Sequence, residues 1–344
     1  MEVIKVFDRP ASRSFYTVAG RFLFVETVDL RLAPLVQQLF AGWQLSPVSP
    51  PQREAEIEIR FFGEQCGLEI PSHLDQFEVA DGGRCYTFAS GYYLQFGNSL
   101  MRLAQESVVR DENRSGRGQA KRGPAHTPVR VDVWFKQAPQ VVDAELARVT
   151  SFAVCATLRR FGLFDLHSAG VVEPESGAGV LIIGPSGSGK STLTFQLATA
   201  GWSYLSDDEV LLSIDEGTVE ARGFRSFFAM RELAGTSQRF GFKNVFEPAG
   251  VFSSRRVSEV VPRWVLLTSI SGTKETRFVP LSQAETMTRL IRACPWATYD
   301  TSVAGANLDL LSKLARQVKA FALDAGTDLL EPTRAAELMS RHLR

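Results

Sequence analysis

The sequence has few cysteines and no excess of positive or negative charge, and each of these two features argues against a class of protein. The four cysteines lie far apart and none belongs to a CxxC pair, which argues against a zinc ribbon or a redox motif and favours reduced thiols. Lysine plus arginine equals aspartate plus glutamate at 38 each, so the whole molecule has no electrostatic bias toward nucleic acid or anionic membrane. We therefore expect neither as a partner, and any phosphate site must be local.

Membrane and export signals are also missing from the sequence. No stretch approaches about 18 uninterrupted apolar residues, and the first twenty residues lack the apolar core of a signal peptide. These absences predict a cytoplasmic protein without a membrane span. The 344 residues, 44% hydrophobic and 22% charged, are enough for two globular domains.

Residues 1–128 are predicted to form a small mixed α/β N-terminal module. Its strand segments alternate apolar and polar residues, which is typical of half-buried antiparallel strands. A helix is predicted at 31–39, and the glycine-rich, charged stretch 111–127 is predicted to be a mobile loop. The clearest strand segments are 21–25, 56–61, 84–88 and 92–96.

Residues 129–344 are predicted to form the second domain. A strand at 129–135 leads to a helix at 143–160, which Gly162 ends in the position where glycine is favoured. Helical spacing near the end of the chain predicts two further helices, at 312–323 and 332–343.

A glycine-rich stretch, GPSGSGKST, directly follows the apolar run 179–183. It meets the pattern GxxxxGK[ST], in which backbone N–H groups cradle phosphate oxygens, the lysine reaches the terminal phosphates and the hydroxyl holds Mg²⁺. The helical run 192–200 follows, so the expected context of strand, loop and helix is complete. The residues predicted to bind a nucleotide are Gly184, Pro185, Ser186, Gly187, Ser188, Gly189, Lys190, Ser191 and Thr192.

A histidine precedes this loop in the sequence. Two apolar runs flank the turn-forming sequence PESG at 174–177, which predicts an antiparallel hairpin. In the register that pairs Val172 with Gly179, His167 lies beside Gly184. There His167 can orient a phosphate or tune a neighbouring carboxylate. A hydrogen-bonded structural histidine near a strand end is the alternative.

Two adjacent carboxylates, Asp207 and Asp208, follow the loop after one helix and one strand, 202–205. The residues between Lys190 and Asp207 are just enough for one helix and one strand that returns along the sheet. This predicts that the pair ends the strand next to the loop strand, on the same edge of the sheet. There one carboxylate can bind Mg²⁺ while the other accepts a proton from an attacking hydroxyl. A polar turn is the alternative.

A second hairpin is predicted around the turn DEGT, and its far strand carries Glu220, Arg222 and, just beyond, Arg225. One of the two arginines is a candidate for the cation that neutralises charge on a transferred phosphoryl group. A surface role is the alternative for either arginine and for Glu220.

The chain contains, in this order, LHSAGV, a hairpin, GPSGSGKST, GWSYLSDDEV and VEARGF. This order of segments resembles that in the catalytic domain of HPr kinase/phosphorylase and of the wider group of HPr-kinase-related proteins. In that family a histidine precedes the phosphate loop, two aspartates follow it, and a Glu-x-Arg-Gly segment lies beyond. The resemblance is specific over 166–224 and diffuse to about 290. It implies an α/β fold with a P-loop nucleotide-binding core similar to that of phosphoenolpyruvate carboxykinase, preceded here by the smaller N-terminal module.

The resemblance also implies roles for individual residues. Residues 224–227, FRSF, depart from the glycine and aliphatic residues of the bacterial kinase/phosphorylase, so neither HPr as substrate nor reverse phosphorolysis carries over. Family members are often oligomeric, which adds a homo-oligomer to the expectations. The implied catalytic residues are His167, Asp207, Asp208 and Arg222, and the implied Mg²⁺ ligands are Ser191, Asp207, Asp208 and Glu220.

The expected function is that of an ATP-dependent kinase acting on a serine or threonine hydroxyl of a peptide or small protein. The N-terminal third resembles that of related kinases, some of which modify peptide precursors, so it is expected to recognise the acceptor. Two alternatives stay open: a kinase for a small-molecule alcohol, and an ATP-binding regulatory protein that transfers no phosphate. His167 and the aspartate pair count against the last, because a pure sensor needs neither.

Overall fold

The computed structural model describes most of the chain, and the described residues fall into two compact units. Unit 1 consists of the described residues within Met1–Phe40 and Leu45–Thr157. Unit 2 consists of the described residues within Ala41–Gln44 and Leu158–Arg344. For some short segments between 229 and 246 only the backbone is described. The described residues are 11–50, 55–63, 70–79, 82–104, 128–225, 228–230, 238–240, 243–246 and 256–343.

Unit 1 is a mixed sheet with helices α1 (Ala33–Ala41) and α2 (Ala144–Arg159), of which α2 ends in unit 2. Its strands are β1 (Ser12–Val18), β2 (Arg21–Thr27), β3 (Ser46–Pro47), β4 (Ile57–Phe62), β5 (Asp75–Val79), β6 (Gly83–Phe88), β7 (Gly91–Phe96), β8 (Ser99–Ala104) and β9 (Val129–Phe135). The strand order is β3-β1-β2-β4-β9-β8-β7-β6-β5. The predicted strands and helix are present, but β2, β4 and β9 run parallel to one another, which corrects the prediction of antiparallel strands.

The division between the units differs from the predicted boundary after residue 128. Strand β9 pairs with β4 on one side and β8 on the other, so it lies inside the sheet of unit 1. The ladder hydrogen bonds on both of its edges keep this segment with the first unit, which continues to Thr157. The stretch 111–127, predicted to be a mobile loop, lies outside the described residues.

Unit 2 contains the glycine-rich stretch and is also α/β. Its helices are α3 (Lys190–Thr199), α4 (Gln283–Arg292), α5 (Thr301–Gln317) and α6 (Pro332–His342). Its strands are β10 (Phe164–Leu166), β11 (Ser168–Val172), β12 (Gly179–Ile183), β13 (Ser203–Ser206), β14 (Val210–Asp215), β15 (Thr218–Gly223), β16 (Phe228–Met230), β17 (Gln238–Phe240), β18 (Lys243–Phe246), β19 (Glu259–Val260), β20 (Pro262–Ile270), β21 (Arg277–Leu281) and β22 (Lys319–Ala325).

The main sheet of unit 2 has the order β13-β11-β12-β20-β22-β21. Strands β12, β20 and β22 are parallel, and every residue of β12 is buried, as expected for a strand covered on both faces. Helices α3 and α6 pack on one face, where Leu197 and Met339 join the core. A smaller antiparallel sheet, β10-β14-β15-β19, contacts helix α5, and a short sheet has the order β16-β18-β17.

Two predicted elements of unit 2 need correction. The predicted helix 312–323 ends at Gln317, and its last residues belong to strand β22, which pairs with β20 and β21. The predicted strand from Leu166 to Val172 is interrupted at His167, because β10 pairs with β14 in the smaller sheet whereas β11 pairs with β12 in the main one.

Across the residues that the structure describes, no helix combines the length and the hydrophobicity needed to cross a membrane.

Candidate functional site

The glycine-rich loop connects the end of β12 to the start of α3, as the sequence predicts. Gly187 and Gly189 have φ angles of 85° and 92°, a left-handed conformation that side chains disfavour. Gly189 is the N-cap of α3, and no side chain caps this helix start. Backbone N–H groups at a helix start can bind an anion, and the helix dipole favours negative charge there.

Close packing beneath the loop explains why residue 184 is a glycine. A Cβ on Gly184 would lie 2.7 Å from the carbonyl oxygen of Thr268 and 2.8 Å from its hydroxyl oxygen. The same hydroxyl is 3.0 Å from Ser188 Oγ and donates to the carbonyl of Ile183. Thr268, two residues before the end of β20, therefore supports the loop. Thr268 was not among the predicted site residues, although it is a polar residue directly after the apolar run 264–267.

Lys190 is buried, and its ammonium group is directed at the loop itself. Nζ donates to the carbonyl oxygens of Gly184, at 2.7 Å, and Pro185, at 3.2 Å. These bonds hold the two ends of the loop together. A phosphate that takes the ammonium as a donor must therefore compete with these two carbonyls or share it with them.

The register of the hairpin β11–β12 is the predicted one, with Val172 opposite Gly179. Strand β13 pairs with the other side of β11, which corrects the prediction that the acidic pair follows the strand adjacent to β12. Because β11 is antiparallel to both neighbours, β12 and β13 still point the same way. The acidic pair and the loop consequently lie at the same edge of the sheet, as predicted.

His167 and Asp208 are in contact at this edge. His167 Nδ1 is 3.5 Å from Asp208 Oδ1, and both side chains reach solvent, with exposed fractions of 48% and 36%. Asp207, in contrast, is only 1% exposed. The two aspartates thus differ in access, and an acceptor hydroxyl in solution can reach Asp208 more directly than Asp207.

Asp207 acts on the buried phenol of Tyr204. Burial, reinforced by the negative charge of Asp207, raises the pKa of Tyr204 well above its ordinary value, so the phenol stays neutral. The Tyr204 ring also stacks on Phe228, with ring centroids 4.7 Å apart. The neutral, packed phenol therefore lies close enough to Asp207 to be affected by its charge.

The predicted residues Arg222 and Glu220 lie together on β15. Arg222 Nη2 is 2.8 Å from Glu259 Oε2 and 3.9 Å from Glu220 Oε2. Burial and the nearby Glu259 carboxylate raise the pKa of Glu220. Glu220 is opposite Ser213 in the pair β14–β15. Ser213 lies three residues from Val210, the end of β14 that adjoins the acidic turn. At ~3.3 Å per residue, this separation is about 10 Å along the strand.

Comparison with known proteins finds matches among solved structures only. No protein-family model matches the chain, and the curated proteins contain no significant match. The matching solved structures include that of the HPr(Ser) kinase/phosphatase from Coxiella burnetii, with 13% sequence identity and a TM-score of 0.31. The match covers 52% of this chain and 95% of that one. At this identity and TM-score, neither fold nor activity is inferred from it.

The edge thus combines three chemical parts. The loop and the start of α3 provide N–H donors for phosphate, Lys190 provides a cation, and the acidic pair provides carboxylate oxygens. Hydroxyl and carboxylate oxygens are the ligands that Mg²⁺ prefers, so Ser191 and the acidic pair fit this ion, whereas Glu220 lies with Arg222 and Glu259.

Proposed function

We propose that the protein is an ATP-dependent kinase that transfers the γ-phosphoryl group to a serine or threonine hydroxyl of a peptide or small protein. The observation that carries the proposal is the convergence of the glycine-rich loop, His167 and the acidic pair at one edge of the main sheet of unit 2. Phosphoryl transfer depends mainly on positioning and on charge stabilisation, and these residues can supply both.

Asp208 is the proposed general base. In the reaction the acceptor oxygen bonds to the γ-phosphorus, the bond from that phosphorus to ADP breaks, and the hydroxyl proton passes to Asp208. The 36% exposure of Asp208 supports this role, because a base must lie within reach of the acceptor. His167, 3.5 Å away, would orient the carboxylate.

Ser191 and Asp207 would hold Mg²⁺, which neutralises charge on the phosphate oxygens when bound. The N–H groups at the start of α3 would bind phosphate oxygens, and Lys190 would exchange a loop carbonyl for a terminal phosphate oxygen. Arg222 is the weaker candidate for the charge-neutralising arginine, because its guanidinium pairs with Glu259.

The remaining expectations form part of the same proposal. Unit 1 would recognise the acceptor, with β5 at one end of its strand order as a site for an extended peptide. The protein would act in the cytoplasm without nucleic acid or membrane as a partner, and as a homo-oligomer.

Mass spectrometry of acceptor peptides tests the proposal. The wild-type protein is incubated with Mg-ATP and serine- or threonine-containing peptides encoded near its gene, beside Lys190→Met, Asp208→Asn and the surface variant Arg316→Gln. We expect one added phosphate with the wild type and with Arg316→Gln, and none with the other two. Lys190→Met keeps the buried aliphatic stem while removing the ammonium.

The other outcomes discriminate between the alternatives. Transfer to small alcohols but to no peptide would indicate a metabolite kinase. Binding of Mg-ATP, measured by calorimetry, without transfer to any hydroxyl would contradict the kinase proposal and support a regulatory nucleotide-binding protein.

A further inference from the structure

The acidic pair lies in a turn between β13 and β14 that is tied at both ends. Ser206 Oγ donates to the carbonyl of Glu209, at 2.7 Å, which closes the turn. The backbone N–H of Phe224 donates to the same carbonyl, at 3.1 Å, and that of Arg225 reaches Ser206 Oγ, at 3.4 Å. The position of Asp207 and Asp208 therefore depends on the chain at 224–225.

The side chain of Arg225 also binds the turn, through the carboxylate of Glu209. Its Nη2 and Nε lie 3.0 and 3.2 Å from one carboxylate oxygen of Glu209, the residue directly after Asp208. Both side chains are only 13% exposed. A half-buried, charge-assisted pair of this kind fixes geometry more than it adds net stability, because desolvation offsets much of the attraction.

Arg225 is held in turn by a segment from far upstream in the chain. The Arg225 guanidinium lies 5.0 Å from the ring centroid of Trp43, which is 3% exposed. The backbones of these two residues form an antiparallel bridge, and the N–H of Gln44 donates to the carbonyl of Phe224, at 2.8 Å. Residues 41–44 belong to unit 2 although both flanking segments belong to unit 1.

We infer that Arg225, held by Trp43, is a positioning residue for the acidic pair, an inference that rests on the proposed kinase function. Arg225 acts through Glu209 and the turn, and does not itself contact the phosphates. A planar guanidinium can bond Glu209 through two nitrogens while its face lies on an indole, which a lysine cannot reproduce. This role differs from the charge-neutralising role that the sequence allowed for Arg225.

The contact between His167 and Asp208 gives a direct readout of the turn. The chain has four histidines, so isotope-labelled histidine gives a simple NMR spectrum in which His167→Gln identifies the His167 ring signals. Asp208→Asn, measured at the same fixed pH without nucleotide, shows where these signals lie when the carboxylate contact is lost. The test variants are Arg225→Gln, Arg225→Lys and Trp43→Leu.

Two matched controls separate positioning from general destabilisation. Arg316→Gln removes an exposed arginine from α5. Trp264→Leu removes a second indole that has a cation near its ring, because Lys319 Nζ lies 5.0 Å from the Trp264 ring centroid. Trp264 lies near the start of β20. We expect Arg225→Gln and Trp43→Leu to move the His167 signals toward those of Asp208→Asn, Arg225→Lys to move them less, and both controls to leave them in place. His167 signals that coincide with the wild type in both Arg225 variants would overturn the inference.

A kinetic measurement completes the test. With the peptide found by mass spectrometry, Arg225→Gln should lower kcat by roughly ten- to a hundredfold, the loss typical of a misplaced catalytic group, with little change in KM for Mg-ATP. An unchanged kcat would also count against the inference. If the wild type transfers no phosphate, the proposed function fails, whereas the NMR comparison still decides whether Arg225 holds the acidic pair.

Discussion

His167 Nδ1 lies 3.5 Å from Asp208 Oδ1, although the two residues belong to connections between different pairs of strands. His167 stands where the chain leaves β10 for β11, and Asp208 follows β13. They meet because β13 pairs with β11, with Ser206 opposite Gly170. The contact joins the carboxylate proposed as the base to the residue at the mouth of the glycine-rich loop.

Asp208→Asn should abolish most transfer while leaving the nucleotide bound. The amide is nearly isosteric but cannot take a proton, so we expect kcat to fall by roughly a hundredfold to ten-thousandfold. Calorimetric binding of Mg-ATP should weaken far less. Asp215→Asn, in the exposed turn of the next hairpin, is the control and should match the wild type. Full activity of Asp208→Asn would remove Asp208 from the mechanism.

Gly184→Ala should weaken both folding and nucleotide binding. The added methyl group would lie 2.7 Å from the Thr268 carbonyl oxygen, so β20 or the loop must shift, at a cost of about 1–3 kcal/mol in the free energy of unfolding. Gly305→Ala is the control, because a Cβ there meets nothing within 4 Å and alanine favours a helix by up to ~1 kcal/mol. Chemical denaturation and Mg-ATP calorimetry measure both effects. Equal stability of the two variants would contradict the packing argument.

Asp300→Ala should be strongly destabilising. Asp300 is 1% exposed and accepts two hydrogen bonds from Arg160, at 2.5 and 2.7 Å. Removing one partner of a buried pair typically costs about 3–5 kcal/mol. Asp309→Ala breaks an exposed pair with Lys313 on the same helix, α5, and should cost less than about 0.5 kcal/mol. Urea unfolding compares the two, and similar losses would show that burial does not set the difference.

Cys294 should make stability fall in mild alkali. Burial, reinforced by the charge of Asp165, raises the pKa of the Cys294 thiol to about 12, whereas an unfolded cysteine ionises near ~8.5. Because the folded pKa is the higher one, this contribution is complete below the unfolded pKa and is lost as pH rises toward the folded one.

The variant Cys294→Ala isolates this effect. From about pH 8 to about pH 10, the wild type should lose about 1–2 kcal/mol more free energy of unfolding than Cys294→Ala. Tyr204, whose pKa is also raised, contributes equally to both proteins. Identical pH dependences in urea unfolding would rule out the thiol as the source.

Local patterns predicted the backbone elements that surround the candidate site. The turn sequence between two apolar runs predicted the hairpin with Val172 opposite Gly179, and fixed spacing predicted the loop from Gly184 to Lys190. Both depend on residues close in sequence, where turn chemistry and strand length leave few arrangements.

Features set by distant segments could not be predicted in the same way. Thr268 and Trp43 reach the loop and the acidic turn through pairings that no local spacing encodes. Residues 318–323 match a helical spacing, yet most of them form β22 between β20 and β21. A short apolar run fits either structure, and the neighbouring strands decide which one forms.

The position of residues 41–44 has a consequence for biosynthesis and for engineering. Trp43 leaves the ribosome long before Arg225 is made, so this part of unit 2 cannot reach its native contacts until most of the chain has been synthesised. A fragment starting at Leu158 would lack that segment, and cutting the gene between the units would not yield two intact pieces. The two units are interleaved in sequence, so a gene fusion or domain exchange that keeps both intact must carry residues 41–44 along with the chain after Leu158.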